Sequence, residues 1–427
     1  MPACIPWRQK LKSKAEKHLR EKLIPFWSGL CDREYGGFYG YVDQDLNIHP
    51  DAEKGCILMS RITWFFANTY MILGDAELLG LAKHGYEFLT RHCFDRQYGG
   101  IYWSVQRDGT PSDTAKHTYN HAFAIYALAS YYDASKDREA LKKALSLFSL
   151  IEEKMRDEGG YLESFNRQFI PASNEKLSEN GVEAVRTMNT HLHVMEAYTE
   201  LLRVLSENDS TSGTAFPETD RAGVFTALAG VCRIFLDKIW NPEKKRAEVF
   251  FNHDWHSLID LWSSGHDIES SWLCGRTAVI LENAAKTEEE KAQAAGLKKQ
   301  FSTVTAVMAE QVLRKAIQRD SVVSEFENGN PAPGRTWWVQ AEAVTGFTHA
   351  FLKNPRNREY REAACKIWDF IMNHFADPRE GGEWFGDLDE NLQPAGRPIV
   401  EPWKCPYHNG RMCLELIRSG GISCPPR

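Results

Sequence analysis

Apolar residues recur at intervals of three and four along most of the chain, the period of a helix with one buried face. The pattern is clearest in "ILMSRITWFFANTYMIL" (57–73), "HTYNHAFAIYALASYY" (117–132), "MNTHLHVMEAYTELLRVL" (188–205), "DRAGVFTALAGVCRIFLDKIW" (220–240), "WWVQAEAVTGFTHAFL" (337–352) and "YREAACKIWDFIMNHF" (360–375). Adding 7–30, 78–93, 138–155, 266–284, 288–318 and 408–418 gives about twelve helices. A second signal falls between alternate helices. "DREYGGFYGYVDQD" (32–45) returns as "DRQYGGIYWSVQRD" (95–108), "RDEGGYLESFNRQ" (156–168) and "PREGGEWFGDLDEN" (378–391). Each copy has a Gly-Gly turn, an aromatic-rich alternation suited to a short strand, and a polar turn. The first three Gly pairs stand 63 and 60 residues apart, the length of two helices with their loops. "RAEVFFNHDW" (246–255) and "DSVVSEFENG" (320–329) fall where degenerate fourth and fifth copies belong. Six helical hairpins with short strands on one rim predict an all-α fold, a closed (α/α)6 barrel in which each pair buries its apolar face on the next. An open solenoid is the rival arrangement. The polar stretch 206–220 reads as a surface loop rather than a linker, so residues 1–427 are expected to form a single barrel domain.

Inner helices of such a barrel should turn small and apolar residues toward the axis, yet several here turn polar ones. Arg61 lies between "GCILMS" and "ITWFF", and Tyr119 and Asn120 interrupt "HTYNHAFAIYAL". Asn189 and His193 are four apart, as are Trp338 and Glu342; His266, Glu269 and Trp272 share one half of a helix surface; Trp403 and His408 follow near the C-terminus. An unpaired buried charge costs several kcal/mol, so polar groups from six segments point to a wet cavity and a site. His191, two residues from Asn189, turns away from that face and is read as structural, and Met188 and Met195 as core.

The residue types narrow the chemistry. "HDIE" lacks a second His one turn away, a weak metal signal, and no metal is expected. Glycoside hydrolysis needs two carboxylates flanking the scissile bond, whereas Glu269 and Glu342 each sit beside a His or an aromatic. Three inward histidines suit proton abstraction from a carbon next to a carbonyl. Glu269 would orient His266 and raise its basicity, Arg61 would stabilise an oxyanion, and the tryptophans would carry the apolar faces of sugar rings.

The net charge of −7, with no basic tract, argues against a nucleic-acid partner. No apolar run approaches the roughly 20 residues of a membrane span, and the first residues turn charged before a secretory signal could form. None of the ten cysteines stands in a C-x-x-C pair, as expected of reduced thiols in a cytoplasmic protein.

At these same residues the chain resembles the cellobiose 2-epimerases, within the N-acylglucosamine 2-epimerase superfamily. "KHTYNHAFAIYALASYY", "LSENG", "TMNTHLHVMEAYTEL", "GHDIESSWL", "WWVQAEAV", "GGEWF" and "PWKCPYHNGRM" carry the resemblance over nearly the whole length. It implies an (α/α)6 barrel and a cofactor-free, reversible epimerisation at C2 of the reducing-end sugar of β-1,4-linked disaccharides. It also implies catalytic roles for His266, His408, His193, Arg61 and Glu269, and substrate binding by Tyr119, Asn189, Trp272, Trp338, Glu342 and Trp403. His266 and His408 would lie on opposite faces of C2, with a cis-enediolate between the two proton transfers. A monosaccharide epimerase or aldose–ketose isomerase of the same superfamily, and a non-catalytic sugar-binding barrel, are the alternatives. Oligomeric state is not legible in the sequence.

Overall fold

Six inner helices surround one axis and the outer helices pack against them, as the periodicity predicts. The computed structural model describes residues 7–173, 181–207 and 216–420. Cys4, Cys424, most of "LSENG" and the centre of the 206–220 loop lie outside the described residues. On the outside, α1 (Trp7–His18) runs through a π-helical turn (Leu19–Leu23) into α2 (Ile24–Gly29), and α3 (Cys56–Leu73) follows on the inside. Outer and inner helices then alternate: α4 (Ala76–Phe88) and α5 (Thr118–Ser135), α6 (Arg138–Lys154) and α7 (Met188–Glu207), α8 (Glu218–Ile234) and α9 (Ser264–Ala284), α10 (Glu288–Lys315) and α11 (Trp337–Lys353), α12 (Arg358–Phe370) and α13 (His408–Ser419). Each inner helix packs on the next, and α13 packs on α3, so the ring is closed rather than an open solenoid. The helix expected over 288–318 stops at Lys315 because Ile317 and Gln318 pair as a strand with Val322 and Ser321.

The rim explains the Gly-Gly repeat. The short strand before an inner helix pairs with the hairpin of the next repeat: Lys54–Gly55 with Ser104–Val105, Lys116–His117 with Ser164–Phe165, Arg186–Thr187 with Phe250–Phe251, Leu261–Ser263 with Glu325–Glu327, and Arg335–Thr336 with Asp387–Leu388. A bridge between Val42 and Val400 joins the first hairpin to the segment before α13. The two degenerate copies therefore occupy the expected places. The Asp ahead of each of the first three Gly pairs has two tasks. Asp32, Asp95 and Asp157 accept N–H groups of their own turns. Each also pairs with the cation two residues before an inner helix: Lys54 at 2.8 Å, Lys116 at 3.2 Å, and Arg186. Lys54, Asp32, Lys116 and Asp95 side chains are wholly buried, so these pairs clamp the rim to the helix starts, where loss of one partner costs about 3–5 kcal/mol.

The structural reading of His191 holds: its Nδ1 bonds the Thr187 carbonyl at 2.7 Å and its Nε2 accepts the Tyr161 N–H at 3.2 Å. His121 does the same one repeat earlier, with His117 and Ile101. Gly100, at φ +71°, would drive a methyl group into His121 Nε2, so this turn needs glycine on two counts. Met188 and Met195 are buried in the core. Among the described residues every cysteine is a free thiol, six of the eight buried. Helix α3 is long and apolar enough to cross a membrane, but it is a core element, with Cys56 to Thr69 all buried.

Side-chain capping is commoner in the outer layer, although Thr187 caps inner α7 by accepting the Thr190 N–H at 3.1 Å and outer α8 has no side-chain cap. Asp75, Asp137, Thr287 and Asn357 cap α4, α6, α10 and α12, whereas α3, α5, α9, α11 and α13 have no side-chain cap. The positive ends of their dipoles lie at the rim end of the axis, where first-turn N–H groups of α3, α5, α9 and α11 donate to carbonyls of the rim.

Candidate active site

The polar residues singled out in the sequence come mostly from the first two turns of the inner helices. Tyr119, Asn189 and Trp338 are the second residues of α5, α7 and α11; Arg61, His193, Glu269 and Glu342 are the sixth of α3, α7, α9 and α11. His266 is the third residue of α9, and His408 opens α13. Positions two and six are one turn apart on one face, so the axis carries two tiers of polar groups.

The lower tier is organised by a residue that sequence reasoning passed over. Arg411, 1% exposed, donates to Glu196, Glu269 and Tyr407, and to Glu342 Oε1 at 2.7 Å. Glu196 also bonds His193 Nδ1 at 2.9 Å and accepts the Tyr407 hydroxyl. Glu342 Oε1 bonds His408 Nδ1 at 2.8 Å, while its Oε2 accepts the Trp272 indole N–H at 3.0 Å. Burial and the neighbouring Glu342 push Glu269 up to about 8, so Glu269 holds a proton at neutral pH. Burial also raises Glu342, against the pull of Arg411 and Trp272. Burial acts on Glu196 in the same sense, but Arg411 and His193 together hold it well below the usual carboxylate range.

Burial disfavours the charged form of all three histidines. Burial takes His266 down to about 3, lowers His193 against the pull of Glu196, and with Arg411 holds His408 far below its ordinary value. Each has Nδ1 engaged, that of His266 by Ser263, that of His193 by Glu196 and that of His408 by Glu342. Among the described residues none of their Nε2 atoms has a hydrogen-bond partner. The half-buried Trp338 indole touches two of them, with ring centroids 4.7 Å from His266 and 5.4 Å from His408. Gly265 makes room for it, since a methyl group there would come within 2.8 Å of that indole.

Arg61 faces the same space in a different electrical setting. Its guanidinium lies 4.1 Å over the Phe123 ring and donates to the Tyr119 hydroxyl at 2.7 Å, the Trp403 carbonyl at 3.4 Å and the Cys405 thiol at 3.7 Å. No carboxylate among the described residues pairs with it. Half-buried Asn189 leaves a buried Oδ1 without a partner. Trp403 packs against Trp103 and Tyr119 at the rim. Buried Glu383 of "GGEWF" binds Lys404, Asn409 and the Trp27 indole, which fixes the segment between Trp403 and His408.

Two expectations are corrected. Glu269 does not orient His266: it is taken by Arg411, a buried cation that competes better for a carboxyl than a neutral imidazole, and His266 bonds Ser263 at 2.7 Å instead. Trp272, 1% exposed, and Glu342, wholly buried, spend their polar atoms on each other, on Arg411 and on His408 rather than on a substrate. Trp272 is occupied as a donor to Glu342 and stacks on His349. Arg411 and Glu196 were missed, although His408/Arg411 and His193/Glu196 share the spacing of three that marks neighbours on a helix. Glu269, Glu342 and His408 bring ligand atoms within 4.8 Å of one another, but Arg411 donates to both carboxyls and so fills the place a metal ion would take.

Comparison with known proteins agrees with this architecture. Residues 37–409 match the N-acylglucosamine 2-epimerase (GlcNAc 2-epimerase) family. The chain is 48% identical over 406 residues to a cellobiose 2-epimerase of Eubacterium cellulosolvens, covering 95% of this chain and 97% of that one. The structure of cellobiose 2-epimerase from Bacillus thermoamylovorans B4167 superposes with a TM-score of 0.87 at 40% identity, covering 96% and 99% of the two chains. A D-mannose isomerase of Marinomonas mediterranea is 22% identical over 96% of this chain and 97% of its own. With such relatives, the barrel and its polar tiers define a carbohydrate-isomerising enzyme. The chain belongs to the N-acylglucosamine 2-epimerase family.

Proposed function

We propose that this chain, as one catalytic unit, reversibly epimerises C2 of the reducing-end sugar of β-1,4-linked disaccharides. Cellobiose would give glucosyl-mannose, lactose would give epilactose, and mannobiose would react likewise. The relatives named cellobiose 2-epimerase support the substrate class. One observation carries the mechanism: His266 and His408, from different helices, contact the same indole with Nδ1 anchored and Nε2 free.

The sugar ring opens, and one neutral histidine takes the C2 proton on Nε2. The electron pair of the C–H bond passes into a cis-enediolate, and the negative charge falls on O1. Arg61, which pairs with no carboxylate among the described residues, holds that charge in a pocket into which helix N-termini also point, and His193, its Nδ1 on Glu196, joins it when Nε2 also carries a proton. Rotation about C2–C3 presents the other face, where the second histidine, entering as imidazolium, returns a proton. When His408 carries the extra proton, the Glu342 carboxylate beside Nδ1 offsets its charge. The reverse reaction exchanges the two roles.

The test is NMR product analysis in deuterated water with cellobiose, mannobiose, mannose and N-acetylmannosamine. The expected product of cellobiose is glucosyl-mannose carrying deuterium at C2, with disaccharides used at higher kcat/KM than monosaccharides. Ketose as the main product, or better use of mannose, would establish the aldose–ketose isomerase reading instead.

A further inference from the structure

The serine just before α9 is turned away from the work such a serine ordinarily does. Ser263 is the N-cap residue of α9, with extended backbone at φ −87° and ψ 93°. A serine there normally accepts a backbone N–H two or three residues on, a bond whose loss typically costs about 1 kcal/mol. Ser263 makes no such bond. Its hydroxyl lies 2.7 Å from His266 Nδ1, and the residue is 2% exposed. Beneath the rest of the site each histidine leans on a carboxylate, His193 on Glu196 and His408 on Glu342. His266 alone of the three leans on a neutral group.

We infer that Ser263 is a positioning residue for the His266 half of the reaction, its hydroxyl anchoring Nδ1 so that Nε2 faces the C2 hydrogen. The inference rests on the two-histidine reading above. A hydroxyl can accept from an Nδ1–H or donate to a bare Nδ1. As an acceptor it holds the proton on Nδ1 of His266 and leaves Nε2 bare for the C2 proton with no charge beside the ring, whereas His408 has the Glu342 carboxyl at Nδ1. The side chain also leans toward the start of its own helix, as helical side chains do, which brings the ring over residue 263. The two proton transfers therefore proceed from bases with unlike support, and loss of Ser263 should weaken only one.

The experiment follows solvent deuterium into C2 of cellobiose and, separately, of glucosyl-mannose, with wild type, His266→Asn, Ser263→Ala, Ser263→Thr and Ser263→Cys. His266→Asn identifies the epimer whose C2 hydrogen His266 removes. Ser263→Ala should slow exchange of that same epimer about 10- to 100-fold, the range for removing a group that orients a reacting side chain, while the other epimer changes less than about threefold. KM should stay within about twofold and Ser263→Thr, which keeps the hydroxyl, should recover most of kcat. Ser263→Cys keeps the volume with a poor hydrogen-bonding group and should behave as Ser263→Ala does, so it serves if the alanine variant does not fold. If Ser263→Cys or Ser263→Ala slows both epimers equally, slows neither, or is matched in its loss by Ser263→Thr, the inference is overturned while the two-histidine reading stands. If His266→Asn leaves exchange intact in both epimers, that reading itself falls, and the role of Ser263 with it.

Discussion

Trp272 holds Glu342 from below, its indole N–H 3.0 Å from Oε2, while His408 holds the same carboxylate from above through Oε1 at 2.8 Å. A tryptophan that sequence spacing places with the sugar platforms is thus part of the support under a base.

Replacing Trp272 by Phe keeps an aromatic ring and removes one donor, leaving Oε2 buried without a partner, a defect of about 1–3 kcal/mol. The expected outcome is a fall in kcat of about tenfold with KM nearly unchanged. Trp338→Ala, by contrast, removes a surface that faces the pocket and should raise KM. Steady-state kinetics on cellobiose separates the two, and a mainly KM-type defect in Trp272→Phe would restore it as a platform.

His266→Asn and His408→Asn should each cut epimerisation at least about 10³-fold while the fold survives, since neither base can reach the other face of C2. Because burial holds both imidazoles below the ordinary value, they do not both become charged as the pH falls through 6.5, while the single imidazolium that the return step needs becomes more abundant. Activity should therefore show no acid limb at that pH. A variant retaining more than about a tenth of wild-type turnover, or a limb centred at 6.5, contradicts this assignment.

Glu269 couples stability to pH. Its folded value of about 8 lies above the ordinary 4.5, so between those limits the folded chain holds a proton that the unfolded chain has released. Stability must then fall as pH rises through that window, by up to ~1.4 kcal/mol per unit, and level off above about 8. Glu269→Gln resembles the protonated acid and lacks this term. Denaturant unfolding at pH 5, 6.5 and 8 should show the variant gaining on wild type at each step, and parallel curves would rule the buried proton out.

Lys54→Met should cost about 3–5 kcal/mol, because it takes the nearer cation from the wholly buried Asp32 at the first rim turn and leaves Arg107 at 3.8 Å. Pairing it with Asp32→Asn should recover part of the loss. Urea unfolding of the two single variants and the double variant measures this coupling, and a simple sum of the two losses would show that the pair is not a unit.

The sequence revealed what lies within one helix and concealed what passes between helices. Periods of three and four located the helices to within a few residues, and the Gly-Gly repeat located the rim. Polar residues on apolar faces located Arg61, His193, His266 and His408 in the first turns of inner helices. Spacing alone could not say which partner each would take. His193 and Glu196 stand three apart and bond; His266 and Glu269 stand three apart and do not, because a guanidinium 142 residues further on claims the carboxyl. Arg411 was hidden for the same reason, since a buried arginine is recognised by the acids around it, and these come from α7, α9 and α11.

The contact of α13 with α3, and the bridge from Val42 to Val400, carry a consequence for biosynthesis. As the chain leaves the ribosome, α3 is made early, and the neighbour that covers one of its flanks is made more than three hundred residues later. Until then the most hydrophobic segment of the protein stands at an open seam beside α11, which also awaits α13, and Glu196, Glu269 and Glu342 have no arginine between them. At about 5–20 residues per second that interval lasts tens of seconds, long enough for a chaperone to engage the seam. The last helix to emerge both seals the barrel and brings the cation its acids require, so a nascent chain stopped short of Arg411 carries neither a finished wall nor a working centre.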